Sequence, residues 1–334
     1  MVYRTPLTTR FRGLDVRDGV LLRGHAGWGE LSPFWDYDDA ESVTWLRAAR
    51  EAADVGFPTP VRDTVPVNVT VPAVGPERAR EIVLASGGCR TAKVKVAQRG
   101  PVGPGGRPGD VEPLDAEAAR VAAVRAAFDE LYGPGAGAIR VDANGGWTLD
   151  EALRRIPVLD SEARGLEYVE QPCASVAELA AVRRGLRVPV PVAADESIRR
   201  AADPLRVVRE DAADLVVLKV QPLGGVRACL DLAERVGLPV VVSSALESSV
   251  GLAAGVALAA ALPELPYACG LATAQLLAHD VVAEPLLPVD GAIPVRRPAP
   301  DAAALAAAAA DDGTRDRWLA RYARLTALLE EIPA

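Results

Sequence analysis

Histidine is nearly absent: the 334 residues hold only His25 and His279. A Ser-His-Asp triad would need one of them, and no G-x-S-x-G turn accompanies either. Neither stands in an H-E-x-x-H zinc pattern. His25 lies in a glycine-rich loop and His279 beside Asp280, so surface or satisfied polar roles are expected for both. Proton transfer near neutral pH then falls to carboxylates or to lysines of lowered pKa. Cysteine is scarce too. Cys89, Cys173, Cys229 and Cys269 form no C-x-x-C pair and fit no thiolate zinc spacing. Buried, reduced thiols are expected, which suits a cytoplasmic protein. No basic stripe is present and the net charge is −8, which excludes a nucleic-acid partner. The opening MVYRTPLTTRFRG has no apolar signal core. The longest apolar run, Val250 to Leu262, stops at Pro263 and is too short to span a bilayer, so no membrane role is expected.

From about residue 64, short β-like runs alternate with helix-like stretches. The runs are Val65–Val71, Thr91–Val96, Ala138–Asp142, Leu166–Glu170, Pro191–Ala194, Asp214–Lys219, Pro239–Ser243 and Tyr267–Ala272. Such alternation argues for a parallel sheet with crossover helices. Eight units suit a closed barrel rather than an open sheet, and no G-x-G-x-x-G follows the first run. Thr148 before Leu149-Asp150-Glu151 reads as an N-cap, and Ser175 with Glu178 as a capping box. Before the barrel, Phe11–Val16 and Gly19–Arg23 flank an Asp-Gly pair and read as a hairpin, followed by a helix over Asp38–Val55. The tail Asp301–Leu329 is alanine-rich and helical in pattern. The expected division is an α+β cap over 1–63, a barrel over 64–284 and a tail, about 285–334, that returns to the cap. The Gly/Pro-rich stretch Gly100–Gly109 reads as a surface loop interrupting the barrel.

Three acids stand where barrel active sites are built. Asp142 ends Ala138–Asp142, Glu170 ends Leu166–Glu170, and Asp195 follows Pro191–Ala194; each closes an apolar strand at its C-terminal end. Positions 142, 170, 195, 219 and 243 are separated by 28, 25, 24 and 24 residues, one βα unit per step. Three converging carboxylates repel one another in a dry site and call for a cation. An all-oxygen ligand set suits Mg²⁺ or Mn²⁺. Lys93 and Lys95, two apart in TAKVKV, point the same way. Alone this pair would be read as solvated lysines of an edge strand; beside three strand-end acids it reads as part of a site. Lys219 ends Asp214–Lys219 on the strand after the metal strands, so Lys95 and Lys219 should face each other across the barrel mouth. Desolvation and a neighbouring cation lower a lysine pKa, and a metal stabilises the enediolate formed when a carboxylate substrate loses its α-proton.

The ordered set Lys93-Val94-Lys95, Asp142-Ala143-Asn144, Glu170-Gln171-Pro172, Ala194-Asp195-Glu196-Ser197 and Lys219 resembles the muconate-cycloisomerase-type subgroup of the enolase superfamily, from the cap to about Ala278. The resemblance implies a modified (β/α) TIM-type barrel under an N-terminal α+β cap. It implies that Asp142, Glu170 and Asp195 bind the metal. Lys95 would be the general base and then the acid, Lys219 would stabilise the enediolate, and Lys93 would support Lys95. It further implies that Ser243 and Gly270 hold a remote substrate carboxylate, and that Arg140 and Asn144, beside the first ligand, either reach the ring carboxylate or support the ligand from behind. The cap loop Gly27–Trp35 would close the mouth, with Trp28, Phe34 and Trp35 either on the substrate or in ordinary packing. Within the subgroup the nearest resemblance is to enzymes of menaquinone biosynthesis that dehydrate a succinyl-hydroxycyclohexadiene carboxylate to an aromatic acid. No D-x-D follows the eighth run, unlike dipeptide epimerases, and neither histidine sits where mandelate-racemase relatives carry a base. The alternatives are N-acylamino-acid racemisation or muconate cycloisomerisation on the same residues, or a non-catalytic binding barrel. The oligomeric state stays open.

Overall fold

The computed structural model describes residues 1–11, 13–100, 109–201 and 203–331. The chain opens with three antiparallel strands, β1 (Val2–Phe11), β2 (Leu14–Gly24) and β3 (Gly27–Leu31), in that order. The expected turn at Asp18-Gly19 is not there: Asp18 pairs with Arg4 and Gly19 with Tyr3 inside the β1–β2 ladder. Gly19 serves close packing instead. A Cβ at that position would lie 2.7 Å from Ser32 Cβ and 2.9 Å from the Tyr3 ring. The chain reverses between Phe11 and Leu14, where Gly13 takes a φ of 77°. Helix Asp39–Arg50 follows, capped by the Asp38 side chain accepting from Glu41 N, and widens into a π turn over Glu51–Val55.

The barrel strands are β5 (Val69–Val71), β6 (Thr91–Lys95), β7 (Ala138–Asp142), β8 (Leu166–Glu170), β9 (Val192–Ala194), β10 (Leu215–Leu218) and β11 (Val240–Val242). They form one parallel sheet in sequence order. The expected run Val65–Val71 is split. Its first part, β4 (Thr64–Pro66), pairs antiparallel with β12 (Ala292–Pro294), and only Val69–Val71 enters the barrel. The eighth run forms no regular strand, but it closes the ring through two parallel bridges, Val67 to Cys269 and Ser243 to Gly270. Cys269 N donates to Pro66 O and Gly270 N to Val242 O, so the two edges of the sheet meet there.

Strands such as Leu215–Leu218 and Val240–Val242 are continuously apolar because both faces are covered. Outward residues pack under the helices, while Tyr168, Ala193, Leu215, Val217 and Val241 form a separate inner cluster. The inner face also carries the chemistry. Glu170, Asp195, Lys219 and Ser243 each stand two residues beyond an inner-cluster member and so point the same way. Helices Leu149–Ala163 and Val176–Gly185 both begin with reciprocal capping boxes, Thr148 with Glu151 and Ser175 with Glu178. The tail is helical in two pieces, Ala302–Ala307 and Asp312–Glu331, and the longer one places Trp318 and Leu325 against Trp45 and Leu46 of the cap. Most of Gly100–Gly109 lies outside the described residues. Its flanks are tied by Gly100 N donating to Asp110 O and Glu112 N to Gln98 O.

Candidate active site

The strand register brings Lys95 opposite Asp142 and Asp142 opposite Glu170. Asp195 leaves the end of β9 one strand further on. All three acids are fully buried. Two local devices hold them there. Asn144 adopts φ 47°, a left-handed value that asparagine tolerates, and its backbone N–H donates to Asp142 Oδ1 at 3.0 Å. Gln171, also left-handed, accepts with Oε1 from the backbone N–H groups of Asp195 and Ser197, and its Nε2 donates to Ser197 Oγ at 2.7 Å. The Glu170-Gln171-Pro172 motif thus fixes the loop that carries the third acid.

Each acid meets cations. Lys95 Nζ lies 2.5 Å from Asp142 Oδ2 and donates to Asn144 Oδ1 at 2.7 Å. Lys93 Nζ donates to Glu170 Oε1 at 3.2 Å and stands 3.5 Å from Asp142. Lys219 Nζ donates to Asp195 Oδ2 at 2.6 Å, and Arg199 Nε to Asp195 Oδ1 at 2.9 Å. Burial alone would raise the Asp142 carboxyl, but Lys95 and Lys93 pull it far below the usual carboxylate range. Burial opposes ionisation of Asp195 as well, and Arg199 and Lys219 more than offset it. Burial and then the Asp142 charge push Glu170 up to about 7. Burial lowers Lys95 despite Asp142, whereas at Lys93 the charges of Glu170 and Asp142 overcome burial and raise it. Two lysines on one strand are therefore pushed apart: one toward a proton acceptor, the other toward a permanent cation.

Among the described residues no three acidic, histidine or cysteine side chains converge on one point at ligating distance. The donor set nonetheless fits a divalent cation. Three buried carboxylates share one rim on consecutive strands, and the Glu170 carboxyl is held back from ionising by burial and then by the Asp142 charge. Glu196 Oε2, in the same loop as Asp195, is buried without a hydrogen-bond partner. Oxygen-only donors of this kind suit a hard cation.

Lys93, Lys95, Asn144, Lys219, Ser243 and Gly270 all line one cavity. Gly270 is required beside Ser243: a Cβ there would lie 2.5 Å from Ser243 Oγ. Two expected site residues are elsewhere. Arg140 is in the floor of the barrel, two residues below Asp142, where it bonds Glu167, the Tyr168 hydroxyl and Ala268 O. Trp28 packs beside Tyr3, Leu21 and Val250 with the Arg23 guanidinium over its ring, so it supports the cap and does not line the cavity. Among the cap-loop aromatics only Phe34 lines the cavity; Trp35 stacks on Trp318 and donates to Asp18. The sequence reading missed Phe11, whose ring lies 5.5 Å from Lys95 Nζ, and the hydroxyl pair Ser244–Thr273 at 2.6 Å. Phe11 ends β1, whereas the hairpin expected from the sequence begins a strand at that residue. Neither histidine lines the cavity.

Known proteins bear on this arrangement. Residues 2–53 match a family model described as enolase N-terminal domain-like and residues 76–302 one described as enolase C-terminal domain-like. The o-succinylbenzoate synthase of Thermobifida fusca is 60% identical over 330 residues, spanning 99% of this chain and 96% of that protein. The o-succinylbenzoate synthase of Mycolicibacterium smegmatis is 49% identical, spanning 98% of this chain and 95% of that protein. In fold the chain is similar to muconate lactonizing enzyme from Pseudomonas fluorescens, with TM-score 0.72 at 22% identity over 92% of this chain and 97% of that one. It is also similar to the L-Ala-D/L-Glu epimerase of Bacillus subtilis, with TM-score 0.71 at 23% identity over 90% and 95%. The chain belongs to the enolase superfamily and, within it, to the o-succinylbenzoate synthase family of carbon–oxygen lyases.

Proposed function

We propose that this chain dehydrates a succinyl-hydroxycyclohexadiene carboxylate to o-succinylbenzoate in menaquinone biosynthesis, with Lys95 as base and then acid. The observation that carries the reading is the pair Lys95 and Lys219, at the ends of strands with three others between them, lining one cavity whose rim bears three buried carboxylates. Lys95 takes the α-proton, and its electron pair enters the ring carboxylate as an enediolate. The Lys219 ammonium offsets the charge that develops there. The Lys95 ammonium then gives its proton to the departing hydroxyl, so water leaves and the ring becomes aromatic. Removal and delivery by one group require the proton and hydroxyl to leave from the same face. Lys93 remains a cation, and burial together with the Lys93 charge loosens the hold of Lys95 on its proton.

Members of the superfamily depend on a divalent metal. Asp142, Glu170 and Asp195 would hold Mg²⁺, or Mn²⁺ in its place, which supplies a Lewis acid at the substrate carboxylate. Ser243, beside Gly270, would hold the succinyl carboxylate, and Asn144 would keep Lys95 aligned. The cap over 1–63 with the tail 285–334 and the barrel over 64–284 would act as two units that close on a small carboxylate substrate. Among the described residues no helix is long and apolar enough to cross a membrane, and all four cysteines are free thiols, which supports a cytoplasmic site of action.

The test is direct. With the cyclohexadiene substrate and Mg²⁺ an aromatic ultraviolet product should form. Lys95→Ala should lower kcat by about 10²–10⁴ while substrate still binds, the usual range for losing a positioned acid–base group. Rapid α-hydrogen exchange of N-succinyl amino acids with no aromatic product would instead favour racemisation.

A further inference from the structure

The barrel loop after β9 carries two consecutive arginines, and both grip one cap residue. Arg199 Nη1 donates to the Tyr37 hydroxyl at 2.5 Å, and the Arg200 guanidinium lies 4.8 Å from the Tyr37 ring. The Tyr37 ring sits edge-on to Phe34 at 5.7 Å and to Trp45 at 5.9 Å, and Phe34 lines the cavity. The Arg199 side chain is only 2% exposed and makes two further ion pairs, to Asp195 Oδ1 at 2.9 Å and Glu196 Oε1 at 2.5 Å. Glu196 Oε1 in turn accepts from Asn144 Nδ2 at 3.2 Å, and Asn144 Oδ1 accepts from Lys95. An unbroken set of contacts thus runs from a cap aromatic in the cavity wall, through Tyr37 and Arg199, to the third strand-end acid.

We propose that Tyr37 and Arg199 are positioning residues: the cap, through the Tyr37 hydroxyl, fixes the Arg199 guanidinium and thereby the orientation of Asp195, so that cation affinity at the barrel rim depends on a cap residue that touches neither cation nor substrate. The proposal rests on the assignment of Asp195 as a metal ligand. A guanidinium has five N–H donors in a rigid plane, so fixing one edge fixes the other. Arg199 spends one edge on Tyr37 and the remainder on Asp195 and Glu196. Without the hydroxyl the plane can rotate, and Asp195 Oδ1 loses a fixed partner. Partners that orient a ligand in this way typically change metal affinity or activity by 10–100-fold when removed.

The experiment is a Mn²⁺ titration of the substrate-free protein, followed by electron paramagnetic resonance of the free ion, beside melting curves and steady-state kinetics. Tyr37→Phe keeps the ring and removes only the hydroxyl. It should weaken Mn²⁺ binding about tenfold, lower kcat at fixed Mn²⁺, and leave the substrate KM at saturating Mn²⁺ within about twofold. Arg199→Lys, which keeps a charge near Asp195 but cannot span three partners, should weaken Mn²⁺ similarly and serves if Tyr37→Phe does not fold. Trp45→Phe perturbs the same aromatic cluster without touching Arg199; it should lower the melting temperature and leave Mn²⁺ affinity unchanged. Asp142→Asn should abolish binding. Unchanged affinity in both Tyr37→Phe and Arg199→Lys, with Asp142→Asn dead, would overturn the strut and leave the metal site standing. Equal weakening in Trp45→Phe would also overturn it, since general loosening would then suffice. Wild-type binding by Asp142→Asn would remove the ligand assignment itself.

Discussion

Arg321 on the tail helix offers a quantitative test of how the tail serves the site. Its side chain is buried and donates to the carbonyls of Pro33 at 3.3 Å, Phe34 at 3.1 Å and Tyr37 at 2.6 Å, and to Ser42 Oγ at 2.7 Å. These groups belong to the loop that presents Phe34 to the cavity. In Arg321→Met the side chain keeps most of its volume and loses every donor. Phe34 O retains a bond from Tyr37 N at 3.2 Å, and the Ser42 hydroxyl donates to Asp38 O at 2.5 Å, so neither is orphaned. The carbonyls of Pro33 and Tyr37 lose their charged donor. Hydrogen bonds to charged groups are worth about 1.5–3 kcal/mol each, so two of them at the lower end give a loss of about 3 kcal/mol. A chain of this length unfolds with an entropy near 0.7 kcal/mol per kelvin, which converts that loss to a fall of about 4 °C in melting temperature. Calorimetry measures this. Steady-state kinetics should show a raised substrate KM, because the freed loop no longer holds Phe34 against the cavity. A melting temperature within about 1 °C of wild type, together with unchanged kcat/KM, would refute the argument that Arg321 anchors this loop.

Two further outcomes follow from the cap and its seam with the barrel. Gly19→Ala places a methyl group within 3 Å of Ser32 and Tyr3 and should destabilise by about 1–3 kcal/mol in denaturant unfolding; Gly13→Ala, which meets nothing within 4 Å, should cost only the strain of its positive φ. Glu247 is buried, and burial and then the Glu30 charge push it up to about 7. The raised value means the folded state holds this proton more tightly than the unfolded chain, so the group imposes a penalty that grows as pH rises from about 4.5 to 7 and is fully present above 7. Glu247→Gln should therefore match wild type near pH 5 and exceed it in melting temperature at pH 8, and parallel pH curves for the two would count against the burial argument.

How far the sequence reaches is clearest at particular residues. Asp142, Glu170, Asp195 and Lys219 were legible because a parallel barrel repeats its βα unit, alternates its faces and builds its site at one end of every strand. Those three regularities act locally, so the order and spacing of four residues expose them. The apolar, valine-rich strands and the capping pairs Thr148–Glu151 and Ser175–Glu178 were legible for the same reason. Arg140 and Trp28 were misplaced because their depth and facing depend on neighbours remote in sequence. Arg140 does share the face of Asp142, yet it lies one layer lower, against Tyr168 and Ala268. The Asp18-Gly19 pair has the composition of a turn, but tertiary packing against Tyr3 and Ser32 claims the glycine. Phe11, Tyr37 and Arg199 carry no local signal at all. The amino-acid sequence by itself determined the barrel, its strand-end acids and its opposed lysines, since these follow from periodicity. Only the tertiary structure decided which cap side chains reach the cavity and which hold its acids in place, because those contacts join residues separated by 162 positions in the case of Tyr37 and Arg199 and are set by how cap and barrel pack.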